Sequence, residues 1–291
     1  MPAPVNTPAP TSALKWKVYV TPAVPTMSDD FPPGETVRMW SPISSILIYG
    51  KRDAILVDTP VTAAQALALA DWVEESGKNL TAIYTTHGHG DHFFGNGILL
   101  ERFPGAKAIA TSKVLTIMQK QMSPQVMAGL WEKRFPGQIP SKIVMADRLE
   151  RDTFHLEGHK LVVVDIGHTD TDNSTCLYVP SLGMVVAGDL AYNGVHPYLA
   201  ESQTHEKRME WIAALDRIEA LKPSEVIAGH KRETNGDGPN IIGETRQYIL
   251  DFDRIIDKTS STRELYDAML TLYPDRENRG ALWGSVRAMK G

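Results

Sequence analysis

The sequence predicts an α/β domain built from mixed sheets, and three patterns in its 291 residues support this. Short apolar runs rich in β-branched residues recur along the chain and are typical of strands. Amphipathic helical patterns separate several of these runs, whereas tight turns join others. Because parallel neighbours need a crossover and antiparallel neighbours need only a turn, we expect both kinds of pairing in the same layered domain.

The predicted elements alternate along most of the chain. The strands lie at 17–20, 45–49, 54–57, 80–85, 106–110, 161–166, 175–179, 184–187 and 225–228. The helical patterns lie at 62–75, 98–102, 114–135 with a break near Pro124, and 206–221. Residues 51–53 and 181–183 suit turns between neighbouring strands. After His230 the pattern is mainly helical, at 241–258, 262–272 and 281–289.

Composition favours a small-molecule partner. The formal net charge is -5, so the chain lacks the basic balance with which nucleic-acid binders displace counterions. No run approaches 18 apolar residues and no signal-peptide pattern opens the chain, so we expect a cytoplasmic protein without a membrane partner. The single cysteine, Cys176, excludes an internal disulfide. Residues 1–14, rich in Pro, Ala and Thr, predict a disordered tail before one domain at 15–291.

The segment Thr86-His87-Gly88-His89-Gly90-Asp91-His92 directly follows an apolar strand. Three imidazoles and a carboxylate at such a place are costly to bury unless a shared cation satisfies them. Single candidates follow three later strands, at His168, Asp189 and His230, and each comes after a glycine. Because strand ends of layered α/β domains are where sites assemble, the pattern predicts a metal site rather than a chance polar loop.

These residues resemble the metallo-β-lactamase superfamily, whose His-x-His-x-Asp-His signature and later Gly-His-Thr, Gly-Asp and Gly-His motifs stand here in order. The resemblance covers roughly residues 18–256. It implies a four-layer αβ/βα sandwich with two mixed β-sheets and a helical C-terminal segment. It also implies a first metal on His87, His89 and His168, a second on Asp91, His92 and His230, and a bridging Asp189. Five histidines among seven ligands favour two zinc ions, with iron or manganese as alternatives.

The resemblance further implies a binuclear hydrolase that opens a lactone or lactam with a metal-bound hydroxide, Asp91 being part of the catalytic set. Zinc β-lactamases that share the stretch 167–180 carry a cysteine ligand where Asp189 stands, which favours a lactonase, an esterase or a non-antibiotic lactamase. Four alternatives stay open. They are a thioester hydrolase of the glyoxalase II type, a β-lactamase-like detoxification enzyme, a mononuclear iron dioxygenase, and a sensor without turnover.

Two further residues receive a role through the resemblance. Asp58 ends an apolar run and matches the aspartate that orients the ligand loop, although a turn or helix-capping role is equally open. Tyr192 resembles the tyrosine of certain lactonases, where a phenol could donate to the developing oxyanion or leaving group; a wall role is the alternative.

Several other side chains are candidates for the substrate pocket. They are Phe93, Phe94, Asn193, His196 and Tyr198. The two phenylalanines suggest an apolar wall, whereas an ordinary loop position is equally open for the other three. The tract at 112–135, rich in Met and Trp, could cover the pocket or mediate a homodimer, and core packing is its more common role.

Overall fold

A computed structural model describes residues 13–291 of the chain. The expected tail at 1–14 falls outside these residues except for its last two positions. Leu14 is buried in the apolar cluster between the two sheets, so it belongs to the packed part of the chain. The single domain expected at 15–291 stays a prediction. No helix in the described range is long and apolar enough to cross a membrane.

The strands of the described residues lie between Lys15 and Lys231. They are β1 (Lys15–Thr21), β2 (Val24–Thr26), β3 (Arg38–Trp40), β4 (Ile43–Tyr49), β5 (Asp53–Val57), β6 (Asn79–Tyr84), β7 (Lys107–Ala110), β8 (Asp147–Arg148), β9 (Thr153–Leu156), β10 (His159–Gly167), β11 (Ser174–Val179), β12 (Met184–Asn193) and β13 (Glu225–Lys231). The predicted strands are all confirmed, although β12 ends at Asn193 rather than at 187. The sequence did not predict β2, β3, β8 and β9, because two to four residues carry too little periodicity.

The strands form two mixed sheets and one hairpin. The first sheet has the order β1-β4-β5-β6-β7-β8, antiparallel up to β5 and parallel from β5 onward. The second has the order β13-β12-β11-β10-β9, in which only β12 and β13 are parallel. Strands β2 and β3 pair separately as an antiparallel hairpin. Both sheets are therefore mixed, as the coexistence of turns and helical crossovers predicts.

The helices cover the outer faces of the two sheets. They are α1 (Ala63–Glu75), α2 (Asn96–Arg102), α3 (Ser112–Gln121), α4 (Pro124–Val126), α5 (Glu132–Arg134), α6 (His205–Glu219), α7 (Asn240–Ile256), α8 (Thr262–Leu272) and α9 (Arg279–Lys290). A π-helical turn, Met127–Trp131, joins α4 to α5. The predicted helix at 114–135 is broken near Pro124, whose missing N–H cannot continue the hydrogen-bond ladder of α3.

Three apolar clusters join these layers. Between the sheets, Ile46 and Val57 of the first sheet share one buried cluster with Leu177 and Val186 of the second. A second cluster joins α1, α2 and α3 to the outer face of the first sheet, and a third joins α6 to α9 to the outer face of the second. Burial of both faces of each sheet is the dominant favourable term in folding. The four-layer αβ/βα sandwich is therefore confirmed.

Polar side chains gather where four strands reach one edge of the sandwich. They are Asp58 after β5, residues 86–92 after β6, Asp189 within β12 and His230 within β13. The β12 ladder to β13 is irregular after Gly188, just before Asp189. Gly188 has a φ of +53°, and a Cβ there would lie 2.5 Å from Thr86 Oγ1. Glycine at this position therefore lets the two sheets approach each other at the site.

Candidate metal centre

The loop after β6 buries all four of its predicted ligands. Their exposed fractions are 1% for His87, 9% for His89, 4% for Asp91 and 0% for His92. A Cβ on Gly88 would lie 2.5 Å from Ile117 Cβ, so glycine allows the loop to pack directly against α3. So many buried polar groups in one short loop need a common partner, because each costs free energy to desolvate.

The first group of ligand atoms comes from His87, His89 and Asp170, and these atoms all lie within 4.8 Å of one another. His89 Nδ1 lies 2.8 Å from Asp170 Oδ2, and His87 Nε2 lies 3.7 Å from the same oxygen. Asp170 Oδ2 is nevertheless buried without a hydrogen-bond partner in residues 13–291, since neither contact has hydrogen-bond geometry. Two imidazoles and a carboxylate that converge in this way fit a cation held between them.

His168 does not stand in this group, although the resemblance assigned it to the first metal. Its Nδ1 lies 2.8 Å from Asp172 Oδ1, and its Nε2 lies 2.8 Å from Ser202 Oγ. Both ring nitrogens are thus engaged by neighbours within the loop and across it. The β10–β11 loop places Asp170, two residues further on, beside His87 and His89 instead.

The second group consists of Asp91, His92 and His230. His230 Nε2 lies 3.6 Å from Asp91 Oδ2. The Asp189 carboxylate lies beside this group, with Oδ1 at 3.3 Å from His92 Nε2 and Oδ2 at 3.1 Å from His230 Nε2. The His87 and His92 rings are 4.1 Å apart between centroids, so the two groups adjoin. The structure therefore brings six of the seven predicted ligands together, His168 being the exception.

Asp58 holds the ligand loop in place. Its Oδ1 accepts from the Thr86 backbone N–H at 2.8 Å, and its Oδ2 accepts from the Thr86 hydroxyl at 2.7 Å. Oδ2 also lies 2.9 Å from His92 Nδ1, which fixes that ring with Nε2 toward the centre. The cap of α1 is Thr62 rather than Asp58. Of the two roles open for Asp58, the geometry fits orientation of the loop.

Three residues near the ligands were missed by the sequence reasoning. Asp170 carries a weak signal, because it is a carboxylate only two residues from the predicted His168. Trp40, on the β2–β3 hairpin, donates from Nε1 to Asp91 Oδ2 at 2.8 Å. Glu201 Oε1 lies 3.0 Å from His89 Nε2. No motif marks Trp40 or Glu201, since each reaches the site from a distant part of the chain.

The site's electrostatics also suit a cation. Burial lowers the pKa of His92, but the charges of Asp189 and Asp58 outweigh it and raise the pKa to about 10. Burial alone would raise the pKa of Asp189, and His230 and His92 hold it well below its usual value. His87 Nε2, His92 Nε2 and Asp189 Oδ1 are buried without hydrogen-bond partners among the described residues. Divalent cations would satisfy these atoms and displace the protons that otherwise balance the carboxylates.

A cavity of about 340 Å³ opens onto both groups. Its floor includes His89, Asp91, Asp170, Asp189 and His230. Trp40 of the hairpin and Trp131 of the tract at 112–135 form aromatic walls, so that tract does cover part of the pocket. Tyr198 also lines the cavity, which is one of the two roles open for it from the sequence. The space suits a small molecule at the low end of the size range of ligand pockets.

The two phenylalanines after His92 do not form the expected wall of this cavity. Phe93 and Phe94 are fully buried in the cluster beneath α1, α2 and α3. Phe94 packs edge-on against Trp131 with ring centroids 5.1 Å apart, and Trp131 is the ring that reaches the cavity. The pair therefore supports the wall from behind, because the apolar core attracts these rings more strongly than the polar centre does.

Asn193 and His196 are likewise turned away from the cavity. Asn193 donates from Nδ2 to the Gly236 carbonyl at 2.8 Å. His196 is fully buried, and its Nδ1 lies 2.9 Å from the Tyr248 hydroxyl on α7. Asn193 thus satisfies its amide within the protein, whereas Nε2 of His196 is buried without a hydrogen-bond partner among the described residues. Neither side chain lines the cavity, so both belong to the packing of the loop after β12.

Tyr192 lies at the floor of the cavity, beside the ligands. Its hydroxyl donates to Asp189 Oδ2 at 2.6 Å, and its ring stacks on His230 with centroids 5.6 Å apart. Burial, followed by the charge of Asp189, holds the pKa of this phenol well above its usual value. Tyr192 is therefore a neutral donor whose proton is directed at a predicted ligand.

Comparison with known proteins agrees with this geometry. The family model for the metallo-beta-lactamase superfamily matches residues 38–230. A metallo-beta-lactamase type 2 from Bacteroides fragilis is 24% identical over 224 residues, which are 75% of this chain and 78% of that protein. A hydroxyacylglutathione hydrolase from Parasynechococcus marenigrum (strain WH8102) is 27% identical over 230 residues, 77% of this chain and 76% of that protein.

Solved structures show the same fold. A metallo-beta-lactamase family protein from Thermus thermophilus superposes with a TM-score of 0.63 at 19% identity, covering 93% of this chain and 91% of that one. A metallo-beta-lactamase from Pontibacter korlensis gives a TM-score of 0.56 at 17% identity, covering 81% of this chain and 100% of that one. The matched family region contains both ligand groups and Asp189. The chain therefore belongs to the metallo-beta-lactamase superfamily of metal-dependent hydrolases.

Proposed function

We propose that this protein is a binuclear zinc hydrolase that opens a small cyclic ester or amide, a lactone or a lactam. The proposal rests on one observation: two adjoining groups of three ligands each, His87-His89-Asp170 and Asp91-His92-His230, share one edge of a cavity. Donor sets rich in imidazole suit zinc better than magnesium or calcium, which prefer oxygen. When bound, two such ions would polarise a carbonyl and lower the pKa of an attacking water.

The chain's own residues orient the imidazoles. Asp58 Oδ2 accepts from His92 Nδ1, and the Pro42 carbonyl lies 2.7 Å from His230 Nδ1. In each ring the proton is therefore held on Nδ1. Nε2 keeps its lone pair, with which it would bind a metal ion at the centre. These contacts make the second group preorganised before any ion enters.

The carboxylates are oriented in the same way. Trp40 Nε1 donates to Asp91 Oδ2, and the Tyr192 hydroxyl donates to Asp189 Oδ2. Asp189 Oδ1 remains buried and without a hydrogen-bond partner in residues 13–291, so it is the oxygen available to a cation. Tyr192 would act by holding Asp189 as long as this bond persists. Donation from Tyr192 to a leaving group would require the bond to break.

The site supports a water nucleophile rather than a side-chain nucleophile. Cys176, the only cysteine of the sequence, lies in β11, is fully buried, and has a pKa raised by burial. Its Sγ donates to the Ala187 carbonyl within the second sheet. A thiol held in this way cannot reach the cavity, whereas water can enter directly beside the ligands.

A thioester hydrolase is the second candidate. The observation that favours it is the match to a hydroxyacylglutathione hydrolase, which is 27% identical over 230 residues. Both candidates need the same carbonyl-activating centre, so the distinction lies in the substrate and not in the ligands.

The first test pairs elemental analysis of the purified protein with a hydrolysis screen of lactones, lactams and thioesters, before and after chelation. We expect about two zinc ions per chain and ring opening that chelation removes and zinc restores. Thioester cleavage without ring opening would select the second candidate. One iron per chain with oxygen uptake would contradict both.

Asp91→Ala is the matching variant. It removes a ligand of the second group, and we expect turnover to fall at least about a hundredfold with the fold retained. Asp71→Ala serves as control, because Asp71 is an exposed aspartate of α1 paired with Arg102. Full activity in Asp91→Ala would exclude the two-metal proposal.

A further inference from the structure

The cavity is lined by charged groups of both signs. Members of the two ligand groups line it, and so do three arginines, Arg38, Arg134 and Arg287. Outside the ligand groups and Asp189, its carboxylates are Asp30 and Glu201, and Glu201 is bonded to His89 and Thr171. Asp30 is therefore the one lining carboxylate available to the three guanidinium groups.

Two of the three arginines use that carboxylate. Arg38 Nη1 lies 3.0 Å from Asp30 Oδ2, and Arg38 Nη2 donates to the Gly280 carbonyl at 3.0 Å. Arg287 Nη1 lies 2.8 Å from Asp30 Oδ1. Both oxygens of Asp30 are thus occupied, and Trp283 Nε1 donates to Oδ1 as well.

Arg134 is the arginine left over. Its Nη1 is buried without a hydrogen-bond partner, and the guanidinium forms no ion pair anywhere in residues 13–291. Arg38 and Arg134 line the same cavity, and burial, and after it the positive charge of Arg134, lowers the pKa of Arg38. An unpaired and partly desolvated cation beside another cation is unfavourable unless an anion joins it.

The position of Arg134 is fixed by packing. Its α5 segment is anchored by Trp131 and Phe135, whose rings lie 5.4 and 5.3 Å from the Trp40 ring. The Arg134 carbonyl also accepts from the Met27 backbone N–H at 2.9 Å. Trp40 in turn donates to Asp91, so a continuous chain of contacts joins the Arg134 segment to the second ligand group.

We propose that Arg134, with Arg38 beside it, binds a carboxylate on the substrate while the scissile carbonyl lies at the ligand groups. This inference rests on the proposed function, and it narrows the substrate to an anionic lactone, lactam or thioester. A guanidinium offers paired N–H donors in one plane, which match the two oxygens of a carboxylate. Neutral analogues leave Nη1 of Arg134 desolvated and unpaired, and so bind weakly.

The test measures binding separately from turnover. Calorimetry of the zinc-loaded protein with succinate as probe is compared with its neutral diamide, succinamide. We expect succinate to bind and succinamide to bind at least about tenfold more weakly. In Arg134→Gln, succinate affinity falls about tenfold or more with unchanged zinc content, and Arg134→Lys recovers part of the loss.

Lys133→Gln is the matched control, because Lys133 is the exposed neighbour of Arg134 and is not among the residues that line the cavity. Its succinate affinity stays at the wild-type value. Equal affinity of wild type and Arg134→Gln, or no succinate binding to wild type, would overturn the proposal. Tighter, Arg134-dependent binding of inorganic phosphate would overturn the carboxylate assignment in favour of a phosphoryl group.

The two proposals can fail separately. Arg134-dependent succinate binding in a protein that hydrolyses none of the screened substrates would leave the anion site standing and remove the hydrolase proposal. Ring opening at equal rates with anionic and neutral substrates, unaffected by Arg134→Gln, would support the hydrolase proposal and exclude the anion site.

Discussion

The loops at 86–92 and 168–173 reach the candidate centre from opposite sheets, and they are built differently. The first places His87, His89, Asp91 and His92 in the ligand groups. The second contributes Asp170, whereas both ring nitrogens of its histidine, His168, contact Asp172 and Ser202. Each loop contains more than one side chain able to bind a metal, so composition by itself does not decide which of them enters.

Local contacts direct the first loop. The His92 backbone N–H donates to the His89 carbonyl at 3.0 Å, which closes the turn between the two histidines. Asp58 fixes both Thr86 and His92 from the end of the neighbouring parallel strand. Trp40 and Glu201 add contacts to Asp91 and His89 from distant parts of the chain. The backbone of the loop is nevertheless set within a few residues and between adjacent strands, so the spacing of the motif predicts which side chains enter the centre.

The second loop combines a distant contact with local ones. His168 is held by Ser202, which follows it by 34 positions, and by Asp172 within the loop. The loop itself bends through a bonded turn from Thr169 N–H to the Thr171 carbonyl at 2.9 Å. The conformation of this turn decides whether His168 or Asp170 enters the ligand group. The local sequence does not predict that conformation.

The largest expected effect tests whether Asp170 or His168 is the metal ligand of the second loop. Asp170→Ala removes a donor from the first group, and we expect loss of about one metal ion per chain and at least about a hundredfold lower kcat/KM. His168→Ala should keep its metal and lose less than about tenfold, because only the contacts to Asp172 and Ser202 disappear. Elemental analysis and steady-state kinetics on both variants decide the matter.

The reverse result would be equally informative. Metal loss in His168→Ala with normal metal content in Asp170→Ala would show that His168 is the ligand, as the resemblance implies, and that the loop rearranges when the ion binds.

The same distinction separates what the sequence predicts in the fold from what it does not. Long strands such as β4 and β10 have clear apolar runs, and Pro124 marks the break after α3, so local chemistry suffices for both. The hairpin of β2 and β3 has no such pattern, yet it delivers Trp40 to Asp91. The sequence likewise does not predict Arg134 as a pocket residue. An arginine in a short polar helix comes to line a pocket only through tertiary packing.

A smaller effect is expected where a side chain orients a ligand without joining it. Asp58→Asn exchanges one acceptor oxygen for an amide donor, and so weakens the hold on Thr86 and His92. We expect a 10- to 100-fold loss of metal affinity or activity, about the usual size for such partners, with the fold intact. Competition with a chromogenic chelator measures the affinity.

Asp172→Asn is the matching change in the second loop. The Asp172 carboxylate contacts His168 and Lys207, neither of which belongs to the two ligand groups. We therefore expect the metal affinity of this variant to lie within about threefold of wild type. Equal losses in the two variants would mean that both loops orient the centre, and the contrast drawn between them would fail.

The smallest expected effect comes from a loop at a distance from the centre. Glu157, in the turn between β9 and β10, accepts the backbone N–H groups of Lys51, Arg52 and Asp53, at 2.8, 2.6 and 2.8 Å. These bonds lower its pKa to about 2. Because the folded-state pKa lies below the unfolded value, the stabilisation is present above about pH 4.5 and is lost as the pH falls toward 2.

Glu157→Gln should therefore lower Tm by no more than about 2 °C at pH 7, as suits an exposed contact, and the difference from wild type should shrink below pH 4. Metal content and kcat/KM should not change, because the turn contacts none of the ligands. Thermal denaturation at several pH values, with activity as the second readout, measures both. A loss of metal in Glu157→Gln would contradict this expectation. It would show that a turn without contact to the ligands still influences the metal centre.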